Sequence, residues 1–412
     1  MQPRLPIEII LLIPPFLSGD KDKQALRKLC LTSSLFLHPS RTLLYNHLVL
    51  SFGPRYTESP LPGTWLLQLL QLSPGLSKYV KKLTISTIPG GQRWLGVDVT
   101  LPDALTRIGP NQITSFSLER ISLDEWSSLR GATKSSIIDT CFSASLVDLT
   151  LCRAPFDLLK HCGPQLKRFE ARGVELARNN NIEPPNSPPI MLDSLCLNGY
   201  PFHKYIAHLL DPSSKIQLHA LTKLEITSTS PADNTAASRI LSHCRNTLET
   251  FILQPYAIYS APEVEVPDCP FLTTFELRID ARGRTYQRDR PGLHWSASFI
   301  DNIPASTSKK IENLSISLFF ILFEPREVPG GEVESQGVSP LREIGGVIMN
   351  SVSDDNIRRW TGLKKLEVEV HDYIPQPGNT QKIRDLVLDA LNISPRSNFA
   401  FHLTTVPLQV QT

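Results

Sequence analysis

Short segments with apolar residues at positions 1, 4 and 6 recur along most of this chain. They run Val80-Lys-Lys-Leu83-Thr-Ile85, Ile113-Thr-Ser-Phe116-Ser-Leu118, Leu146-Val-Asp-Leu149-Thr-Leu151, Leu192-Asp-Ser-Leu195-Cys-Leu197 and Leu221-Thr-Lys-Leu224-Glu-Ile226. Leu248-Glu-Thr-Phe251-Ile-Leu253, Leu272-Thr-Thr-Phe275-Glu-Leu277, Ile311-Glu-Asn-Leu314-Ser-Ile316 and Leu363-Lys-Lys-Leu366-Glu-Val368 continue the series. The last two apolar residues of each segment are two apart, the period of a strand with one face buried. Each copy therefore predicts one short strand. Thr84, Ser117, Thr150, Cys196, Glu225, Ile252, Glu276, Ser315 and Glu367 point to the opposite face.

The segments before the strands are regular in places. Leu159-Lys-His161-Cys162-Gly-Pro-Gln-Leu166-Lys-Arg-Phe169 and Leu241-Ser-His243-Cys244-Arg-Asn-Thr-Leu248-Glu-Thr-Phe251 share one junction, Leu-x-His-Cys-x-x-x-Leu-x-x-Phe. Upstream, Pro155 to Cys162 and Ala236 to Cys244 predict helices that end in a polar or Gly/Pro turn. With Leu166 as a degenerate copy, successive segments start 33, 33, 20, 26, 29, 27, 24, 39 and 52 residues apart. The usual 20 to 29 residues of a leucine-rich repeat hold only in the middle.

Composition narrows the function classes. The chain has 412 residues, 41% of them hydrophobic, which is ample for a buried core, and a formal net charge of only +2. No global basic field points to nucleic acid or an anionic membrane. The 34 prolines exceed the average of about 5%. Some punctuate helix exits, as at Gly109-Pro110 and Cys269-Pro270, and others cluster in insertions. Seven cysteines, odd in number and without a Cys-x-x-Cys pair, suggest neither a disulfide framework nor a zinc clasp. Cys152 and Cys196 alternate with apolar residues and read as buried, reduced thiols. A reducing compartment, cytoplasmic or nuclear, is expected. Glu8 and Pro14-Pro15 interrupt the apolar stretch Ile7 to Leu17, against a signal peptide. No apolar run reaches the roughly 18 residues of a membrane span.

The repeated Leu-x-x-Leu-x-Leu segments resemble the irregular leucine-rich repeats of F-box-type proteins, which are numerous in fungi. The N-terminus is similar to an F-box as well. Leu5-Pro6-Ile-Glu8-Ile9-Ile-Leu-Leu-Ile13 looks like its entry helix, and Asp20 or Asp22 is placed to cap a second helix carrying Leu26, Leu29 and Cys30. Ser33-Ser34-Leu-Phe36 and Arg41-Thr-Leu43-Leu44-Tyr45-Asn-His-Leu48 match its ending. A short helical cap is also expected at the end of any solenoid, to shield the first repeat from water. Pro14-Pro15 departs from the F-box pattern and should stop the first helix near Ile13.

The resemblance implies an α/β fold in which a three-helix F-box-like module (1–50) precedes a linker with the first repeat helix (51–79). An irregular leucine-rich-repeat solenoid (80–412) then has parallel strands on its concave side and helices and loops on its convex side. The implied function is that of an adaptor and not an enzyme. Leu5, Pro6, Ile9, Ile13, Leu17, Leu26 and Leu29 would dock on the linker subunit of a cullin-RING ubiquitin ligase, while the repeats hold a protein target. A repeat scaffold without a ligase role is the alternative. No cofactor, metal, nucleic acid or membrane partner is implied.

Catalytic motifs are missing from the sequence. It contains no Gly-x-Ser-x-Gly, Gly-x-x-x-x-Gly-Lys, Gly-x-Gly-x-x-Gly or His-Glu-x-x-His. His203 and His208, five apart, do not share a helical face, and His161 and His243 belong to the repeated junction. Three insertions stand out: Asn179 to Pro189, Arg282 to Pro291 and Pro325 to Pro340. In the second, Arg282, Arg284, Arg288 and Arg290 offer a grip for an acidic partner, although a solvated loop is the plainer reading. The other two have the composition of flexible loops.

Overall fold

All nine triplets and the degenerate tenth form strands, because their alternating side chains leave one apolar face that only a neighbouring layer can bury. The computed structural model describes residues 22–52, 60–87, 94–176, 188–199, 201–212, 214–255, 264–280, 299–320, 360–372 and 400–407. The chain divides into two units, Met1–Ile190 and Met191–Thr412. The class is α/β, with twelve strands in parallel sheet.

The first unit opens with α1 (Lys23–Thr32) and α2 (Ser34–Tyr45). Ser33, in extended backbone between them, caps α2 by accepting a hydrogen bond from the Leu35 N–H. Asp22 stands at the N-cap of α1 but makes no side-chain cap there, since its backbone is already helical (φ −92°, ψ −4°). Next come β1 (His47–Phe52), α3 (Pro62–Leu72), a 3₁₀-helix (Pro74–Tyr79) and β2 (Lys82–Thr87). Beyond β2 lie α4 (Trp94–Val97), α5 (Leu101–Ile108), β3 (Ser115–Glu119), α6 (Leu123–Ser128) and α7 (Gly131–Cys141). β4 (Asp148–Cys152), a 3₁₀-helix at Phe156–His161 and β5 (Arg168–Arg172) complete this unit.

Strands β1 to β5 lie side by side in chain order, all parallel. Register stacks Leu48, Leu83, Phe116, Leu149 and Phe169 in one row and Leu50, Ile85, Leu118, Leu151 and Ala171 in the next. Every one of them is buried, a gain of about 1.5–3 kcal/mol for each large side chain. The first residue of each triplet, such as Val80, Ile113, Leu146 and Leu166, is buried below the strand start. Helices stack in the same order: α3 against α5, α5 against α7, and α7 against the Phe156–His161 3₁₀-helix. α3 and α5 approach closely at Gly63, where an added Cβ would lie 2.7 Å from the Leu101 Cα. The Gly63 N–H donates to the buried Asp98 carboxylate at 2.6 Å.

The strands leave the sheet through a recurring turn. Arg120, Arg153, Gly173 and Gly199 each lie two residues after the last inward residue of a strand, and all four have left-handed backbone, at φ +61°, +48°, +58° and +95°. Ile121, Ala154 and Val174, which follow the first three, are buried. Glycine is the natural occupant of such a position, and an L side chain there is strained. Arg153→Gly is therefore expected to raise stability by about 0.5–1 kcal/mol, read as a higher urea midpoint at unchanged m-value.

The second unit contains β7 (Ser194–Asn198), α8 (His203–Leu210), β9 (Lys223–Ser228), α9 (Pro231–Cys244), β10 (Thr250–Pro255) and β11 (Thr274–Asp280). The short α10 (Ala305–Ser308), β12 (Asn313–Phe320), β13 (Lys365–Asp372) and β14 (Ala400–Pro407) follow. Two-residue strands β6 (Ile190–Met191) and β8 (Ile216–Gln217) form a separate ribbon. The remaining seven strands again follow chain order in parallel, aligning Leu195, Leu224, Phe251, Phe275, Leu314, Leu366 and Phe401.

Several expectations are corrected. Leu48, read as the end of a helical module, lies in β1, whose alternation of Leu48, Leu50 and Phe52 pairs with β2. Strand β14 carries no preceding triplet leucine and is not anticipated by the repeat. The helix expected from Ala236 begins at Pro231, and Phe156–His161 is a 3₁₀-helix. Cys152 and Cys196 are half-exposed, because Leu151 and Leu197 take the inward phase and turn their neighbours outward. Residues 179–187 of the first insertion, Arg282, Arg284, Arg288 and Arg290 of the second, and the whole of the third (325–340) lie outside the described residues.

Candidate functional site

In each unit the strand face opposite the apolar rows carries a mixed, largely polar set of side chains, with Thr84 and Ile252 buried among them. In the first unit, register aligns Val49, Thr84, Ser117, Thr150 and Glu170 along this face. In the second it aligns Cys196, Glu225, Ile252, Glu276, Ser315, Glu367 and His402. The nine outward residues expected from the triplets therefore all fall in these two rows.

The second unit's face is organised by Arg278. Its guanidinium donates to Glu276 on its own strand and to Glu225 on β9, each at 2.6 Å. Reaching Glu225 takes the side chain across β10, and Ile252 there is only 5% exposed. The aliphatic stem covers an apolar residue while the charged head stays on the carboxylates. Burial alone would lower the Arg278 pKa, but the two carboxylates outweigh it and raise it. Lys365 pairs with Glu367 farther along.

On the first unit's face, Arg168 of β5 pairs with Asp148 of β4, and Arg172 with Glu170 at 2.5 Å. Glu170 also accepts from the Thr150 hydroxyl at 3.3 Å. At the strand ends the charges are less evenly matched. Register puts Glu119, Cys152 and Arg172 abreast. Just beyond them, the Arg120 N–H donates to the Cys152 carbonyl at 2.6 Å and the Arg153 N–H to the Arg172 carbonyl at 2.7 Å. The Thr87 hydroxyl holds the Arg120 carbonyl. Burial raises the Cys152 thiol pKa, with help from Glu119, while Arg172, Arg153 and Arg120 all act to lower it. All three arginines thus stand within electrostatic reach of one sulfur, yet the thiol is not an activated nucleophile. Sequence reasoning missed this group. Its signal is the series Leu118-Glu-Arg-Ile121, Leu151-Cys-Arg-Ala154, Ala171-Arg-Gly-Val174 and Leu197-Asn-Gly, in which arginine and glycine share one position.

The histidine pattern resolves into structure. His203 Nδ1 and the His203 N–H both reach Asp233 Oδ1, at 2.9 and 3.0 Å. The Thr229 N–H and hydroxyl both donate to Oδ2, at 3.1 and 2.8 Å. The Asp233 N–H in turn donates to Ser230, the N-cap of α9. Burial pushes the Asp233 carboxyl up, but the donors from His203 and Thr229 outweigh it and hold it below the ordinary value. With both oxygens committed, Asp233 staples the start of α8 to the start of α9. Tyr205 on α8 is buried nearby, and burial together with the Asp233 charge keeps it a neutral phenol.

The interior cysteines are also structural. Cys162 and Cys244, the two junction cysteines, are buried, and each thiol donates to a carbonyl of its own helical turn, that of Leu158 or Leu241. Cys141 is raised by the hydrogen bond its thiol donates to Cys162, by burial and by the Cys162 charge. Burial and neighbouring charge push Cys244 up to about 12 and Cys269 up to about 11. Such thiols are inert at neutral pH.

Of the expected docking residues, Leu26 is buried in α1 and Leu29 is half-buried. Leu5, Pro6, Ile9, Ile13 and Leu17 lie outside the described residues. His38 on α2 bonds the Tyr79 hydroxyl at 3.0 Å and fixes α2 to the first 3₁₀-helix. Leu31, 88% exposed, and Leu35 leave apolar surface at the corner between α1 and α2. Among the described residues no three His, Cys, Asp or Glu stand together as metal ligands, and no helix is long and apolar enough to cross a membrane. No family model, curated protein or solved structure matches the chain.

Proposed function

We propose that this chain is a leucine-rich-repeat adaptor that holds a protein target on its open strand face and docks, through an F-box-like N-terminus, on the linker subunit of a cullin-RING ubiquitin ligase. The observation that carries the first half is the register: each unit aligns its apolar pairs on one face and leaves rows of mixed, largely polar side chains on the other. Strands that follow chain order in parallel grow by adding units, which is the arrangement of a repeat protein, whereas a doubly wound sheet reverses its strand order. The second half rests on the Leu5-Pro6 entry and the paired helices α1 and α2, with Leu31 and Leu35 exposed at their corner.

On this reading the protein does no covalent chemistry. It raises the effective concentration of a target lysine near a ubiquitin-charged enzyme. The test is co-purification of the full chain with the linker subunit, beside a Leu5→Asp/Ile9→Asp variant. The full chain is expected to retain the linker and the variant to lose it, with an unchanged unfolding midpoint. A full chain that fails to retain it, where an ordinary F-box does, removes the ligase role and leaves a repeat scaffold.

A further inference from the structure

We infer that the exits of β3, β4 and β5 form a binding site for an acidic peptide segment, gripped by Arg120 and Arg153 with Arg172 beside them. This rests on reading the strand face as the target-binding surface and names the chemistry of the target.

The first argument is charge left over. Arg120, Arg153 and Arg172 are all exposed. Arg172 is engaged by Glu170, which also accepts from Thr150. Glu119, the other carboxylate abreast of the group, accepts from the Ser117 hydroxyl at 3.1 Å. Among the described residues the guanidinium groups of Arg120 and Arg153 have no ion-pair or hydrogen-bond partner. Adjacent strands are about 4.8 Å apart, so two like charges at equivalent positions of β3 and β4 repel until an anion joins them. A guanidinium presents paired N–H donors to a carboxylate in its own plane.

The second argument is position. Both arginines occupy the left-handed strand exit that β5 and β7 fill with glycine. Their backbones are fixed by ladder hydrogen bonds to Cys152 and Arg172, and Arg120 also by Thr87. The donors are thus carried at the hydrogen-bonded ends of paired strands and not on a free loop. Arginine at a position that glycine satisfies without strain points to a use for the side chain.

Fluorescence anisotropy with the full chain tests the assignment, using a labelled decapeptide rich in glutamate, its glutamine counterpart, and a single-stranded oligonucleotide of equal charge. The glutamate peptide is expected to bind, and to weaken as salt rises. The glutamine peptide and the oligonucleotide should bind at least about tenfold more weakly. Arg120→Gly/Arg153→Gly is the decisive variant, because it relieves the backbone and should fold at least as stably while losing about tenfold or more in peptide affinity. Lys364→Gln, an exposed lysine of the second unit, should leave affinity unchanged. Undiminished peptide binding by the double glycine variant overturns the site, as does absence of binding by the unaltered chain. An oligonucleotide that binds as tightly as the peptide overturns the ligand class. Linker co-purification reports on the N-terminal segment alone, so either proposal can fail while the other stands.

Discussion

Asp233→Ala is expected to destabilise the second unit by about 3–5 kcal/mol, since it leaves several buried donors without an acceptor at about 1–3 kcal/mol each. The carboxylate is fully buried and is the acceptor for four donors from His203 and Thr229. Its removal strands two backbone N–H groups at the start of α8 and before α9, and buried donors without acceptors are costly. Equilibrium urea unfolding measures the loss. The staple also makes an acid-side prediction. Because the folded-state pKa of Asp233 lies below the ordinary value, its contribution is complete above the unfolded-state value of about 4. It is lost as pH falls through the lower folded value. Asp233→Asn, which cannot ionise, should therefore differ most from the unaltered protein near neutral pH, and the two should converge in acid. A difference that stayed constant down to pH 2 would refute the linkage.

Phe275→Ala should cost a comparable 3–5 kcal/mol. Phe275 is wholly buried at the centre of an aromatic row, 5.7 Å from the Phe251 ring and 6.1 Å from the Phe299 ring. The same side chain holds register between β10 and β12, pairing with Phe251 on one side and Leu314 on the other. Phe275→Leu keeps most of the volume and should cost under about 1.5 kcal/mol. Native-state hydrogen exchange gives a sharper readout than a melt. In a repeat array each unit depends on its neighbours, so protection should fall first in β10 to β12, while the β2 to β4 amides keep theirs. Uniform loss of protection would mean that the chain behaves as one cooperative core.

The strands are legible because each combines two signals, an inward pair at period two and an anchoring apolar residue three positions earlier. Where one signal is missing the reading fails. Leu44 and Leu48 have helical spacing, so Leu48 reads as part of the helix before it, although Leu48, Leu50 and Phe52 alternate equally well. Pairing with β2 decides in favour of the strand. Strand β14 has Phe401 and Leu403 but no anchoring residue. The functional candidates are less legible still. Nothing in the codes Arg120 and Arg153 announces a left-handed backbone, and only alignment with Gly173 and Gly199 reveals the shared position. His203 and Asp233 are thirty residues apart, and only the packing of two helix starts brings them together.

The constancy of register has a consequence for how such a chain can lengthen. β4 and β5 pair Asp148 with Arg168, 20 residues on, while β12 and β13 pair Asn313 with Lys365, 52 residues on, and both align the inward pair in the same way. Closure entropy grows only with the logarithm of the connecting length, so the longer connection costs about 0.8 kcal/mol more than the shorter. That is less than one buried leucine contributes. The connections are therefore close to thermodynamically neutral ground, where residues can be gained or lost while the paired strands stay fixed.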